Sequence, residues 1–201
     1  METTGLNRRD ALLRIATGGI GAVASALWVE NLSALARVQA DHVHTALAGV
    51  QSTAAWAPKV LSAHQHQTVA VLAELIIPQT GTPGAKAALV DRFIDTLLGE
   101  AERSDRERFL SGLSWLDGRS QALYRGNFVA ASPAQQVELL TKLSTEASAE
   151  DRTGVDFFNA IKAMTITGYY TSEIGLRDEL GDNGQLVLPA FEGCTHPEHQ
   201  R

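Results

Sequence analysis

Apolar residues recur at three- and four-residue spacing in five stretches of the chain, and no window alternates apolar with polar for long enough to make a strand. The pattern predicts an all-α fold of about five helices in a single domain over residues 62–175. Ser62 and Gln65 match a capping box, with Val69, Leu72, Ala73 and Ile76 following on one face until Pro78 stops the helix. The Gly- and Pro-built turn QTGTPGA leads into a second helix from about Lys86 to Leu98, with Leu89, Val90, Phe93, Ile94 and Leu97 on its apolar side. Ser104 and Glu107 form another capping box, ahead of Phe109, Leu110, Leu113 and Leu116. Ser132 and Gln135 form a third, with Pro133 at the first helical position and Val137, Leu140 and Leu143 as the stripe. Phe157, Ile161, Met164, Thr165 and Gly168 line a last helix, from about Asp156 to Ile174 and ended by Gly175.

The flanks read differently. Residues 37–61 are Ala-rich with weak periodicity and form an arm of uncertain structure. Residues 176–201 (LRDELGDNGQLVLPAFEGCTHPEHQR) are too apolar for a disordered linker and too irregular for core, which fits a tail lying against a neighbouring chain. At the other end, NRRDALLRI sets Arg8 and Arg9 ahead of a mild apolar run, Ile15 to Val29, diluted by glycine and alanine and too short for a confident membrane span. This is the form of a twin-arginine export signal, read by the twin-arginine translocase, and it predicts a periplasmic protein exported folded. Ser33-Ala34-Leu35-Ala36 puts small residues at −3 and −1, so residues 1–36 are read as the signal, cut after Ala36, with Val38-Gln39-Ala40 as a second candidate. Different readings are an uncleaved N-terminal anchor, which keeps residues 1–36 in the mature protein, and a buried helix with an accidental Arg pair.

Charge narrows the function classes. The formal net charge is −6, and removing residues 1–36 leaves it unchanged because three residues of each sign go with them. With no Lys/Arg cluster beyond the signal, nucleic acid and anionic membranes are poor partners. The lone cysteine, Cys194, has no partner within the chain, so in an exported protein it is a free thiol or a bond to another polypeptide.

Proteins take the twin-arginine route mostly because a cofactor is already inserted, yet no cofactor motif emerges. The histidines fall in three pairs, His42/His44, His64/His66 and His196/His199, but i and i+2 on a helix point to different faces, so His64 and His66 cannot aim at one ion. Solvent-facing histidines are the expectation, and a free-standing metal-binding protein or enzyme using these pairs is the alternative function. The glycine phrases GGIG and TGTPG lack the strand that a dinucleotide fingerprint needs. Cys194 beside Glu192 and His196 has no oxyanion hole or pocket built around it. No catalytic, cofactor-binding or metal-binding residue is therefore assigned. The segment TITGYYTSEIG is denser: Tyr169 and Tyr170 suit a packed, partly polar interface, and an equal reading, compatible with it, packs Tyr169 in the core and leaves Tyr170 exposed. Signal and missing cofactor are reconciled if the cargo is a second polypeptide.

Three stretches, ELIIPQTGTPGAKAALVDRFIDTLL (74–98), TGYYTSEIGLRDEL (167–180) and FEGCTHPE (191–198), resemble the gluconate 2-dehydrogenase subunit 3 family. The resemblance implies a non-catalytic small subunit of a periplasmic oxidoreductase. Its partner would be a large FAD-dependent sugar or polyol dehydrogenase of the glucose-methanol-choline type, which the small subunit escorts, exports and stabilises. FAD would belong to that partner, and haem c to a multihaem cytochrome c that often accompanies such pairs. Pro78, Thr82, Pro83, Gly84 and Ala85 match the first motif as structural residues. Tyr169, Tyr170, Ser172 and Glu173 from the second, with Phe191, Glu192, Gly193 and Cys194 around the third, are the expected partner interface.

Overall fold

The structure, a computed structural model, describes residues 27–49, 56–145 and 151–183. Six α-helices account for most of them: α1 (Leu27–Gly49), α2 (Ala63–Ile76), α3 (Val90–Glu100), α4 (Arg103–Tyr124), α5 (Pro133–Thr145) and α6 (Arg152–Tyr170). A 3₁₀ turn, Phe128–Ala130, and a π-helical turn, Ile174–Glu179, complete the order, and no strand occurs among the described residues. The all-α expectation holds.

The hub is α6, which every other α-helix touches, α1 and α4 through the broadest faces. Its buried residues include Phe157, Ile161, Met164, Thr165 and Gly168, the stripe expected from the spacing. Small residues set how closely its neighbours approach. A Cβ on Gly168 would stand 2.7 Å from the Phe93 ring of α3, and one on Gly112 of α4 would collide with Phe157. The Phe109 and Phe157 rings then meet edge to face at 5.1 Å.

The broadest packing of all joins α6 to α1, a helix in a stretch for which the sequence predicted none. It begins inside the apolar run of the expected signal and continues through the segment read as an arm. Trp28, Val29, Leu32, Ala36 and Ala40 are buried in the common core, and Asn31 Nδ2 donates to Asp105 Oδ2 at 3.2 Å, tying α1 to the first turn of α4. The apolar positions 28, 29, 32, 36 and 40 do follow a helical period; alanine at two of them weakens the signal that hydropathy gives.

Three further boundaries differ from expectation. The helix expected from Lys86 starts at Val90: residues 85–89 form turns, and Leu89, with φ 55°, takes the left-handed conformation that L-residues rarely adopt. The capping box expected at Ser104 and Glu107 does not form, because α4 already begins at Arg103, whose Nε donates to Glu107 at 2.7 Å. The last helix runs from Arg152 to Tyr170 rather than from Asp156 to Ile174, and the π-helical turn takes up the residues beyond. The boxes at Ser62/Gln65 and Ser132/Gln135 form as expected, each with both reciprocal bonds. In α5 the buried set is Gln136, Leu139, Leu140 and Leu143, and Val137 is turned outward.

One carboxylate carries the entry into α2. Asp95, on α3 and buried, accepts from the backbone N–H groups of Lys59, Val60 and Leu61 at 2.7, 3.0 and 2.9 Å. These are charge-assisted bonds to donors that no helix or sheet satisfies.

Candidate functional site

The loop after α2 and the chain after α6 lie against each other. Glu74, in the last turn of α2, wraps the loop by accepting from Gln79 N at 2.8 Å and from Lys86 N at 2.9 Å. Ala85 N donates back to Ile77 O at 2.9 Å, closing the turn. Gly84 sits inside this clasp, where a Cβ would be 2.5 Å from a Glu74 carboxylate oxygen and 2.6 Å from Gln79 N. Pro78, Thr82 and Pro83 are half-buried, and Gly84 and Ala85 are buried.

Across from it, Tyr169 is fully buried and its hydroxyl donates to Pro83 O at 2.7 Å. Thr82 Oγ1 donates to the Glu179 carboxylate of the π-helical turn. Ser172 Oγ donates to Tyr169 O at 2.6 Å and accepts from Gly175 N at 3.0 Å, which turns the chain out of α6. Gly175 is required there by space, since a Cβ would run into the Tyr169 carbonyl. The first and second sequence motifs are therefore one structural unit, joined through Tyr169 and Thr82.

The side chains of Tyr169 and Ser172, expected at a partner interface, are turned into this chain. Tyr170 is half-buried with its ring edge-on to Tyr169 at 5.2 Å, and Glu173 is exposed beside Arg177 Nη1 at 3.0 Å. Next to them Leu176 and Leu180, one helical step apart, are 36% and 60% exposed. Two exposed leucines thus follow the motif unit, on and just after the π-helical turn. Phe191, Glu192, Gly193, Cys194, His196 and His199 lie outside the described residues, as do Arg8 and Arg9.

Each described histidine sits beside a carboxylate, with 40% of the His64 side chain and 23% of the His66 side chain still exposed. His64 Nε2 is 2.6 Å from Asp117 Oδ2, and Asp117 Oδ1 in turn accepts from Phe128 N at 2.9 Å, pinning the 3₁₀ turn. His66 Nε2 is 2.7 Å from Asp91 Oδ2, out of line for a hydrogen bond, and its ring packs against Trp56 at 4.9 Å with Arg92 over the other ring system. The two rings serve different elements, as their spacing requires. His42 and His44 fall on α1, with their side chains outside the described set. Among the described residues no three His, Cys, Asp or Glu side chains gather as a metal site, and no helix is long and apolar enough to cross a membrane.

Two features were not read from the sequence. A half-open groove of about 350 Å³ is lined by Trp115, Arg119, Leu123, Leu139, Lys142, Leu143 and Asp151. Lys162 on α6 lies with Nζ 5.3 Å from the Phe158 ring, and burial lowers its ammonium pKa below the ordinary lysine value. Tertiary packing creates the groove and the burial of Lys162, whereas the Lys162–Phe158 contact is an i, i+4 pair within α6.

Comparison with known proteins returns one finding. The sequence model of a family described as gluconate 2-dehydrogenase subunit 3 matches residues 63–183, which covers α2 through the π-helical turn. No match was found among curated proteins or among solved structures.

Proposed function

The chain belongs to the gluconate 2-dehydrogenase subunit 3 family, and from that premise we propose that it is the non-catalytic small subunit of a periplasmic FAD-dependent sugar or polyol dehydrogenase. It escorts a large partner of the glucose-methanol-choline type through the twin-arginine translocase and stabilises it afterwards. FAD sits in that partner, and a multihaem cytochrome c, where one takes part, carries haem c as a third subunit.

The observation that supports this best is what the motif residues do. Glu74, Gly84, Tyr169, Ser172 and Gly175 spend their polar groups and their space on shaping one loop-to-helix junction. The same junction leaves Leu176 and Leu180 exposed, with Tyr170 half-buried beside them in sequence. Side chains consumed in building a rigid, partly apolar surface suit recognition of another protein rather than bond-making chemistry. The tail with Phe191, Glu192, Gly193 and Cys194 continues from this junction and is proposed to extend the contact, with Cys194 as a candidate interchain bond.

Replacing Arg8 and Arg9 together by lysine tests the escort role. Flavin-linked dehydrogenase activity is expected to fall at least tenfold in the periplasm and to accumulate in the cytoplasm. Undiminished periplasmic activity would show that the partner carries its own route.

A further inference from the structure

We propose that the outer side of the π-helical turn is the docking face for the large subunit, and that it fits an apolar cleft rimmed by Lys and Arg side chains. The proposal rests on the subunit reading above and adds which residues make the contact and what chemistry they meet. A turn closed by an i→i+5 bond is rare, and here Leu180 N donates to Gly175 O at 3.1 Å. Its inner side is engaged with the body of the protein: Ile174 packs against the core, Gly175 is buried against the Tyr169 carbonyl, and Glu179 accepts from Thr82. Its outer side has no such neighbours to meet. Leu176, Arg177 and Asp178 are exposed, and Leu180 follows at 60%. Four residues is close to one turn of a helix closed this way, so the two leucines leave on the same side.

Three features separate this face from ordinary exposed surface. The other large apolar side chains exposed among the described residues, Val38, Leu89, Leu123 and Val137, fall one to an element, which a surface tolerates without a partner. The turn is also braced, by Ser172 where it leaves α6 and by Thr82 at Glu179, so docking costs little further ordering. Finally, the charge around the leucines is mostly of one sign. Residues 173–183 hold Glu173, Asp178, Glu179 and Asp182 against the single Arg177, a net charge of −3 in a chain of −6. Arg177 Nη1 lies 3.0 Å from Glu173, and Asp178 and Asp182 are exposed. Leucines ringed by carboxylates favour a partner face that carries cations at its rim. An anionic membrane, or a second copy of the same face, is disfavoured by like-charge repulsion.

The test compares tagged full-length chains captured from the periplasm of the native host, scored by the flavin absorbance that co-purifies per mole of captured chain. Leu176→Ser/Leu180→Ser is expected to cut it at least about tenfold, the equivalent of one lost leucine contact. Asp178→Lys/Asp182→Lys is expected to cut it as well, while Val137→Ser on α5 leaves it unchanged. All of these replace exposed side chains, so thermal midpoints equal to that of the wild type are expected. Leu180→Ala, a milder change expected to lower the flavin in the same direction, decides the matter if the double leucine variant melts early. Undiminished flavin with the leucine variants overturns the docking face and leaves the subunit reading standing. Undiminished flavin with the lysine variant overturns the basic rim. An equal loss with Val137→Ser overturns the assignment to the π-helical turn. Absence of flavin with the wild-type chain overturns the subunit reading, and the docking face falls with it.

Discussion

A chain that starts at Arg37 is expected to lose the native fold, whereas one that starts at Leu27 keeps it. The difference lies in Trp28, Val29 and Leu32, each 6% exposed or less and packed in the common core. Truncating a buried Trp or Leu to alanine already destabilises by roughly 2–5 kcal/mol. Removing three such side chains together exceeds about 5 kcal/mol, the lower end of what holds a domain folded. The bond from Asn31 to Asp105 goes as well, and the remaining part of α1 is too short to be a stable helix by itself. Both chains, given a signal from another exported protein and produced in the native host, can be compared by thermal denaturation and limited proteolysis. The Arg37 chain should show no cooperative transition and rapid digestion. Equal midpoints would mean that α1 contributes little, against its burial.

Asp95→Ala is expected to be the most damaging single change among the polar residues described. Its carboxylate is the acceptor for three consecutive backbone N–H groups that lead the chain into α2. A buried donor left without a partner costs about 1–3 kcal/mol. With water reaching the Lys59 end, the sum comes to about 3 kcal/mol or more, a drop of roughly 6–12 °C in Tm for a domain of this size. Asp95→Asn retains one acceptor oxygen and should fall between. A loss under about 1 kcal/mol for the alanine variant, measured by denaturant unfolding, would show that the segment before α2 finds other acceptors.

Helix-forming stripes were legible wherever large apolar residues repeat, as in α2 and α6, and so were two of the three capping boxes. The element missed was α1. Its buried face mixes Trp28, Val29 and Leu32 with Ala36 and Ala40, and alanine at a helix contact has the hydropathy of a linker or a signal. Leu89 shows a second limit: nothing in a leucine announces a positive φ. It is imposed by the turn that Gly84 and Ala85 begin and that α3 must leave at a fixed angle, with Ala88 N bonded to Gly84 O and Val90 N to Ala85 O. The motif residues were visible as a pattern, but their division of labour was not. Tyr169 and Tyr170 are adjacent and chemically alike, and only packing assigns one to Pro83 and the other to the half-exposed edge.

The central claim is that this chain works as one subunit of a flavin enzyme, and isolating it under native conditions tests that most directly. The protein would be captured from periplasmic extract through an affinity tag, followed by an absorption spectrum and a non-reducing gel of whatever co-purifies. The account predicts a stoichiometric larger polypeptide with a flavin spectrum. A colourless chain, recovered alone as a stable monomer from cells that contain the dehydrogenase activity, would contradict it.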